Sequence, residues 1–268
     1  MKLLLSFFLL LSSFSLQAGM MNFTVSPAIV KFETVQGSVK AFDLNFFNQG
    51  KNPLQVKVEA MDLTLDTHGV PVVSEASKKP NQWARYIELS KHNFKVSAGE
   101  SKSVHVTLKT PRGKLGGGYF AVSFNATEIK TNKKSKPGQN SMRIGGQLPS
   151  LFIGEISRTG THKAQVVDAK INQAPYTDTH PLKLRYLLKN TGTTHINVSG
   201  DILLRDGKKV LDRVRLNSGS GLILPGGSRY FTATWTKADK HANSKILAEA
   251  RFSYSGGRLT KKLTFTTP

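Results

Sequence analysis

The chain has 268 residues, no cysteine, and 38 lysines and arginines against 17 acidic residues, a formal net charge of +21. Without cysteine no disulfide can staple it, so apolar burial must hold its cores. The basic excess favours encounter with anionic surfaces, and the absence of an aromatic-interleaved basic motif argues against nucleic acid as a partner.

Met1-Lys2 is followed by the apolar run Leu3 to Leu11, a polar stretch to Gln17, and the small residues Ala18 and Gly19. This is the layout of a secretory signal peptide, too short to span a bilayer. Residues 1–19 are therefore expected to be removed. No later run approaches the ~20 apolar residues of a membrane helix, and no cysteine follows to carry a lipid. A periplasmic or secreted chain with no lipid anchor and no membrane span is expected, and a cysteine-free core of this size fits the bacterial periplasm or surface.

The pattern from there on is that of strands. Residues 22–32 open with Phe23 and Val25, meet Pro27, and continue with Ile29 and Val30. Ser38 to Phe47 follows, and Asn48-Gln49-Gly50 turns the chain. Leu54, Val56, Val58 and Ala60 alternate cleanly. Residues 74–82 are polar and read as loop, and Trp83 to Leu89 reads as a short strand or one helical turn. Val104, Val106 and Leu108 mark a further strand. The glycines of Pro111 to Gly118 do not make a phosphate loop, because neither Gly-Lys-Ser/Thr nor a helix follows. Tyr119 to Phe124 is a strand, and Lys130 to Asn140 is a basic polar loop.

The stretch Ser141 to Ile156 (SMRIGGQLPSLFIGEI) comes next. Met142, Ile144 and Leu148 share one parity, as a strand requires. After Pro149 the parity blurs through Leu151, Phe152 and Ile153. Proline cannot donate to a ladder, so an edge strand or a bulge is expected here. Ser157 to Thr161 reads as a linker, after which the strand pattern restarts. Val166 to Ile171, Leu182 to Leu188, Ile196 to Leu204, the hairpin turn Asp206-Gly207, Val210 to Leu216, Tyr230 to Trp235, Ile246 to Tyr254 and Leu259 to Thr267 follow in order.

Each half thus holds about seven short strands separated by turn signals, the pattern of a β-sandwich. The expected fold is all-β, two tandem immunoglobulin-like sandwiches over residues 20–157 and 158–268. Trp83, Tyr86, Tyr230 and Trp235 are expected in the cores.

The segments WARYIELSKHNFKVSAGESKSVHVTLKTPRGKLGGGYFAVSF (Trp83 to Phe124), FTVSP at Phe23, LKNTGTTHINVSGDILLRDGKKV and LILPGGSRYFTATW resemble the two immunoglobulin-like domains of periplasmic pilus assembly chaperones. The second half is also similar to the paired domains of WxL surface proteins. The first resemblance implies a non-enzymatic chaperone-like protein that binds a pilin-like or secreted polypeptide by β-strand addition, possible in pilus or surface-structure assembly. The second implies a module that recognises an anionic cell-wall or surface polymer. In the chaperones an arginine of the first strand and a lysine of the last strand clamp the partner's terminal carboxylate. Here the first position falls at Pro27 or Ala28, with Lys31 the nearest base. The second falls at Ser150, with Arg143 the base within the strand. The expected partner contacts are Met142, Ile144, Leu148, Leu151 and Ile153, with Lys31 and Arg143 toward a carboxylate.

No enzyme is expected. The seven histidines are scattered without metal-ligand spacing and read as surface or turn residues. No serine sits in a Gly-x-Ser-x-Gly elbow, and no carboxylate pair is spaced for acid–base work. No cofactor and no metal is expected.

Overall fold

A computed structural model describes residues 22–77, 82–113, 116–129 and 145–268. Met142, Arg143, Ile144 and the basic loop Lys130 to Lys136 lie outside the described residues. The first sandwich is built from β1 (Phe23–Ser26), β2 (Ile29–Thr34), β3 (Val39–Asn48), β4 (Leu54–Leu65), β5 (Pro71–Glu75), β6 (Ile87–Leu89), β7 (Asn93–Val96), β8 (Ser101–Lys109), β9 (Gly117–Glu128) and β10 (Gly145–Ile156). One sheet has the order β1-β3-β8-β6. The other runs β2-β10-β9-β4-β5, with β7 also on β4.

The chain changes sheets at Pro27. β1 pairs with β3 in one sheet, and β2 pairs with β10 in the other. The single expected strand over residues 22–32 is therefore two, because proline interrupts the ladder. The strand Pro71–Glu75 takes in residues 74 and 75, the start of the stretch 74–82 expected as loop. Val72 and Val73 lie opposite Thr64 and Leu63 of β4, and the adjoining polar residues hide this short edge. Trp83 to Leu89 combines both expectations, a 3-10 turn at Ala84–Tyr86 leading into β6.

Aromatic rings fill the space between these two sheets. Phe120 and Phe152, from the neighbouring strands β9 and β10, stack with centroids 4.3 Å apart. Phe42 meets Phe152 edge-on at 5.3 Å, and Phe46 stacks on Phe124 at 5.9 Å. Such pairs add to the area term that dominates core stability.

The second sandwich is built from β11 (Ala164–Ile171), β12 (Leu182–Asn190), β13 (Ile196–Asn197), β14 (Ser199–Asp206), β15 (Lys209–Arg215), β16 (Leu222–Ile223), β17 (Ser228–Trp235), β18 (Lys245–Tyr254) and β19 (Gly257–Thr266). Its sheets have the orders β11-β12-β17, β13-β16 and β15-β14-β18-β19. Leu182, Leu184, Tyr186 and Leu188 face Ile202, Leu204, Ala248, Ala250 and Phe252 in a separate core. Trp83 and Trp235 are buried as expected. Tyr230 is not a core residue: it turns outward, with the Arg185 guanidinium over its ring at 4.6 Å.

Both sandwiches use the same device at the end of a strand. Asn48 is fully buried. Its Oδ1 accepts the Gly50 N–H (3.0 Å), and its Nδ2 donates to the carbonyls of Asn52 (2.9 Å), Ser97 (3.1 Å) and Val96 (3.2 Å). In the second sandwich Asn190 accepts the Gly192 N–H (2.9 Å) and donates to Thr194 (2.8 Å) and Ile223 (2.9 Å). Buried backbone groups that no ladder reaches are thereby paired.

Candidate functional site

The stretch that closes the first sandwich, β10, has two different neighbours. On one side it pairs with β9 along its whole length in one unbroken register, from Gly145 opposite Thr127 to Glu155 opposite Gly117. Of the two alternatives expected at Pro149, an edge strand or a bulge, the register shows no bulge. On the other side β2 pairs with it only from Leu151 to Ile156. That ladder begins where the Leu151 N–H donates to the Ala28 carbonyl (2.9 Å). Just upstream the Ser150 hydroxyl donates to the Pro27 carbonyl (2.6 Å). Ser150, at the position where the resemblance implies a lysine, is thus buried and tied to the crossover.

Gly145 to Ser150 therefore has no strand on its second side among the described residues. Backbone direction alternates along a strand. Leu151 points its N–H toward β2, so Gln147 and Gly145 point theirs to the open side, where Pro149 has none to offer. The proline sits where its missing donor costs no ladder bond, which is why an edge tolerates it. Gln147 is braced by its own side chain, whose Nε2 donates to Ser123 Oγ (2.7 Å).

Side chains of β10 divide by parity. Phe152 and Ile156 enter the core between the two sheets. Leu148 shares that parity but lies beyond the end of β2 and is 39% exposed. Leu151 and Ile153 point the other way and join the cluster of Leu63, Tyr119 and Leu224 that bridges the two sandwiches. Of the five apolar residues read as one contact strip, the three described ones do not share a face: Leu148 lies at the open edge, Leu151 and Ile153 at the junction. Lys31 stands in register with Ile153, exposed on β2.

The junction between the sandwiches is hydrogen-bonded as well as apolar. The Gly117 N–H donates to the Thr193 carbonyl (2.9 Å), and the Tyr230 N–H to the Thr67 carbonyl (2.9 Å). At Gly116, φ is +83°, and an added Cβ would lie 1.9 Å from the Thr193 carbonyl oxygen, so only glycine fits the approach. The His195 N–H donates to Tyr119 Oη (2.7 Å), and the His195 ring Nδ1 lies 3.2 Å from the same oxygen. Glu155 Oε1 is 3.4 Å from His195 Nδ1 and 3.9 Å from His162 Nε2.

Burial holds the His195 pKa below its ordinary value; the Glu155 carboxylate opposes this, while His162 and Lys31 reinforce it. Burial likewise pushes the Tyr119 hydroxyl far above its ordinary value. His195 is thus a junction residue and not the surface histidine read from its isolated position. A crevice of about 1000 Å³, bordered by Leu65, Trp83, Tyr119, Asn190 and Leu224, runs along this junction.

Among the described residues no group of three or more His, Cys, Asp or Glu gathers to hold a metal ion. None of their helices is long and apolar enough to cross a membrane.

No protein-family model and no curated protein matches the chain. Solved structures do match. The class 5 fimbriae chaperone CfaA is 15% identical, with 92% of this chain and 99% of that chain covered and a TM-score of 0.45. The CsuC–CsuE chaperone–tip adhesion subunit pre-assembly complex from archaic Csu pili of Acinetobacter baumannii is 15% identical, with 92% and 99% covered and a TM-score of 0.41. The E. coli chaperone DraB is 13% identical, with 92% and 98% covered and a TM-score of 0.41.

Proposed function

We propose that this chain is a non-enzymatic, chaperone-like protein of the periplasm that binds a partner polypeptide by strand addition to the open edge of β10. The reading includes removal of residues 1–19 and a division into units 20–157 and 158–268. The observation that carries it is the one-sided pairing of Gly145 to Ser150: β9 holds one edge, and the chain leaves the other at Pro27. A guest strand there would find carbonyls at 145, 147 and 149 and donors at Gly145 and Gln147. Main-chain bonds would give affinity, and Leu148, with Met142 and Ile144 of the same parity upstream, would give specificity. Lys31 and Arg143 are the bases proposed to meet a guest carboxylate. Leu151 and Ile153 serve the junction in this reading.

A photo-crosslinker at position 148, in cells that make the partner, tests it. Mass spectrometry should identify a crosslinked segment of alternating apolar residues. Gln147→Pro removes an outward N–H without removing a bond to β9, and should suppress that crosslink. A crosslinker at the exposed Val210 should not give it. Equal crosslinking from 148 and 210, or crosslinking unaffected by Gln147→Pro, would overturn the assignment.

A further inference from the structure

The second sandwich carries a charged face that strand addition does not use. Residues opposite one another in an antiparallel sheet share a face. Across β15, β14, β18 and β19 one outward row therefore reads Arg215, Asp201, Arg251, Thr260, and the next reads Arg213, Leu203, Glu249, Lys262. Neighbouring strands are about 4.8 Å apart, so Arg215 and Arg251 rise from backbones about 10 Å apart.

Two acids order this face. The Asp201 side chain, 26% exposed, holds Arg213 Nη2 at 2.8 Å, and Glu249, 16% exposed, holds Arg251 Nη2 at 2.7 Å. Arg215 and Arg258 border the same hollow of about 1090 Å³. Neither makes an ion pair among the described residues, and both are exposed. Hydroxyls of Ser199, Ser253 and Thr260 stand between the cations.

The hollow continues. Ser218 and Gly219 border it and also border a second hollow of about 700 Å³, which Lys170, Lys183 and Arg185 line. Lys170 is engaged by Asp168 at 3.1 Å. Arg185 is fixed over Tyr230. A basic track thus passes from Arg258 across Arg251 and Arg215, over the Ser218–Gly219 turn, to Arg185.

We propose that this track binds a polymer carrying repeated phosphate groups. Planar guanidinium forks suit oxyanions better than lysines do, and two of them, Arg251 and Arg185, are held in place before binding. The mixture of forks with neutral hydroxyl donors suits a tetrahedral phosphate, which presents more acceptor oxygens than a carboxylate. Two hollows on either side of one turn suit a chain more than a single ion. The inference is independent of strand addition, since every residue of the track belongs to the second sandwich.

The test uses the mature chain and fluorescently labelled polyphosphate, in a long and a short form. Polyglutamate and inorganic phosphate are the comparison probes. Wild type should bind long polyphosphate, more weakly as salt rises. Arg215→Ala with Arg258→Ala should weaken binding roughly tenfold or more, the scale of lost charge-assisted hydrogen bonds. Lys95→Ala with Lys102→Ala removes the same charge from exposed positions on the first sandwich and should leave affinity nearly unchanged. Arg185→Ala should weaken the long form and spare the short one. Equal losses in the two double variants would mean diffuse charge and overturn the proposal. So would polyglutamate binding as tightly as polyphosphate, or inorganic phosphate competing equally per phosphate. Unchanged melting temperatures check that the variants are folded.

Discussion

Gly154→Ala should loosen the strand that decides where the open edge begins. Gly154 of β10 lies opposite Phe32 of β2 on one side and Gly118 of β9 on the other. The Phe32 ring lies across both glycines. A Cβ added at Gly154 would fall 2.4 Å from two of its carbons, and one at Gly118 would fall 3.2 Å from its Cζ. A ring 8% exposed has no room to retreat without leaving the core. The variant therefore either displaces the ring or strains β10, and overpacking of this kind costs about 1–3 kcal/mol. Phe32→Leu alone should also destabilise, by vacating space. The two together should cost less than their sum, because the smaller side chain removes the clash. The assay is urea unfolding followed through Trp83, which packs in the same core, in a Trp235→Phe background. Additive costs, or a Gly154→Ala variant as stable as wild type, would refute the placement of the ring over the glycine.

Tyr119→Phe removes the acceptor of the buried His195 N–H and should lower stability by about 1–3 kcal/mol; a melting temperature equal to wild type would contradict the bond's role. The lowered His195 pKa gives a signed pH effect. Below the ordinary imidazole value of 6.5 the unfolded chain takes up a proton that the folded junction resists. Stability is therefore full above 6.5 and is lost as pH falls through the lowered folded value. Thermal melts of wild type should show that loss and melts of His195→Gln should show less of it; identical pH profiles would refute the assignment. Asn190→Asp should destabilise more than Asn190→Ala, because it sets a carboxylate against the Thr194 and Ile223 carbonyls. For the alanine variant, which leaves those acceptors unpaired, about 2 kcal/mol or more is expected in denaturant titration.

Strands with one buried face were plain in the residues. Leu54, Val56 and Val58 alternate because one side meets core and the other meets water or a neighbouring loop, and Leu182 to Leu188 does the same in the second half. The blurred parity of Leu151, Phe152 and Ile153 has its origin in burial on two faces. No bulge follows Pro149; the strand is covered on both faces, by the other sheet through Phe152 and by the second sandwich through Leu151 and Ile153. Periodicity reports one burial surface and is silent when there are two. The junction residues were illegible for a related reason. His195 and Tyr119 are 76 residues apart, and nothing local to either marks the other. Tyr230 was misplaced because aromatic composition shows what a side chain would gain by burial, and a cation over the ring supplies another way to cover it.

Pro149 also bears on what the protein must avoid. A bare sheet edge accepts any extended chain, including another copy of itself, and leads to open-ended stacking. With proline at the last outward position of the described edge, the outward donors among the described residues are those of Gly145 and Gln147. Two identical edges laid against each other would each lack a donor where the other offers an acceptor. A strand of another sequence, without proline, would bring its own full set of donors and lose only one bond. The imbalance disfavours self-pairing more than pairing with a strand of another sequence, so a single imino acid makes the open edge a poorer seed for fibres.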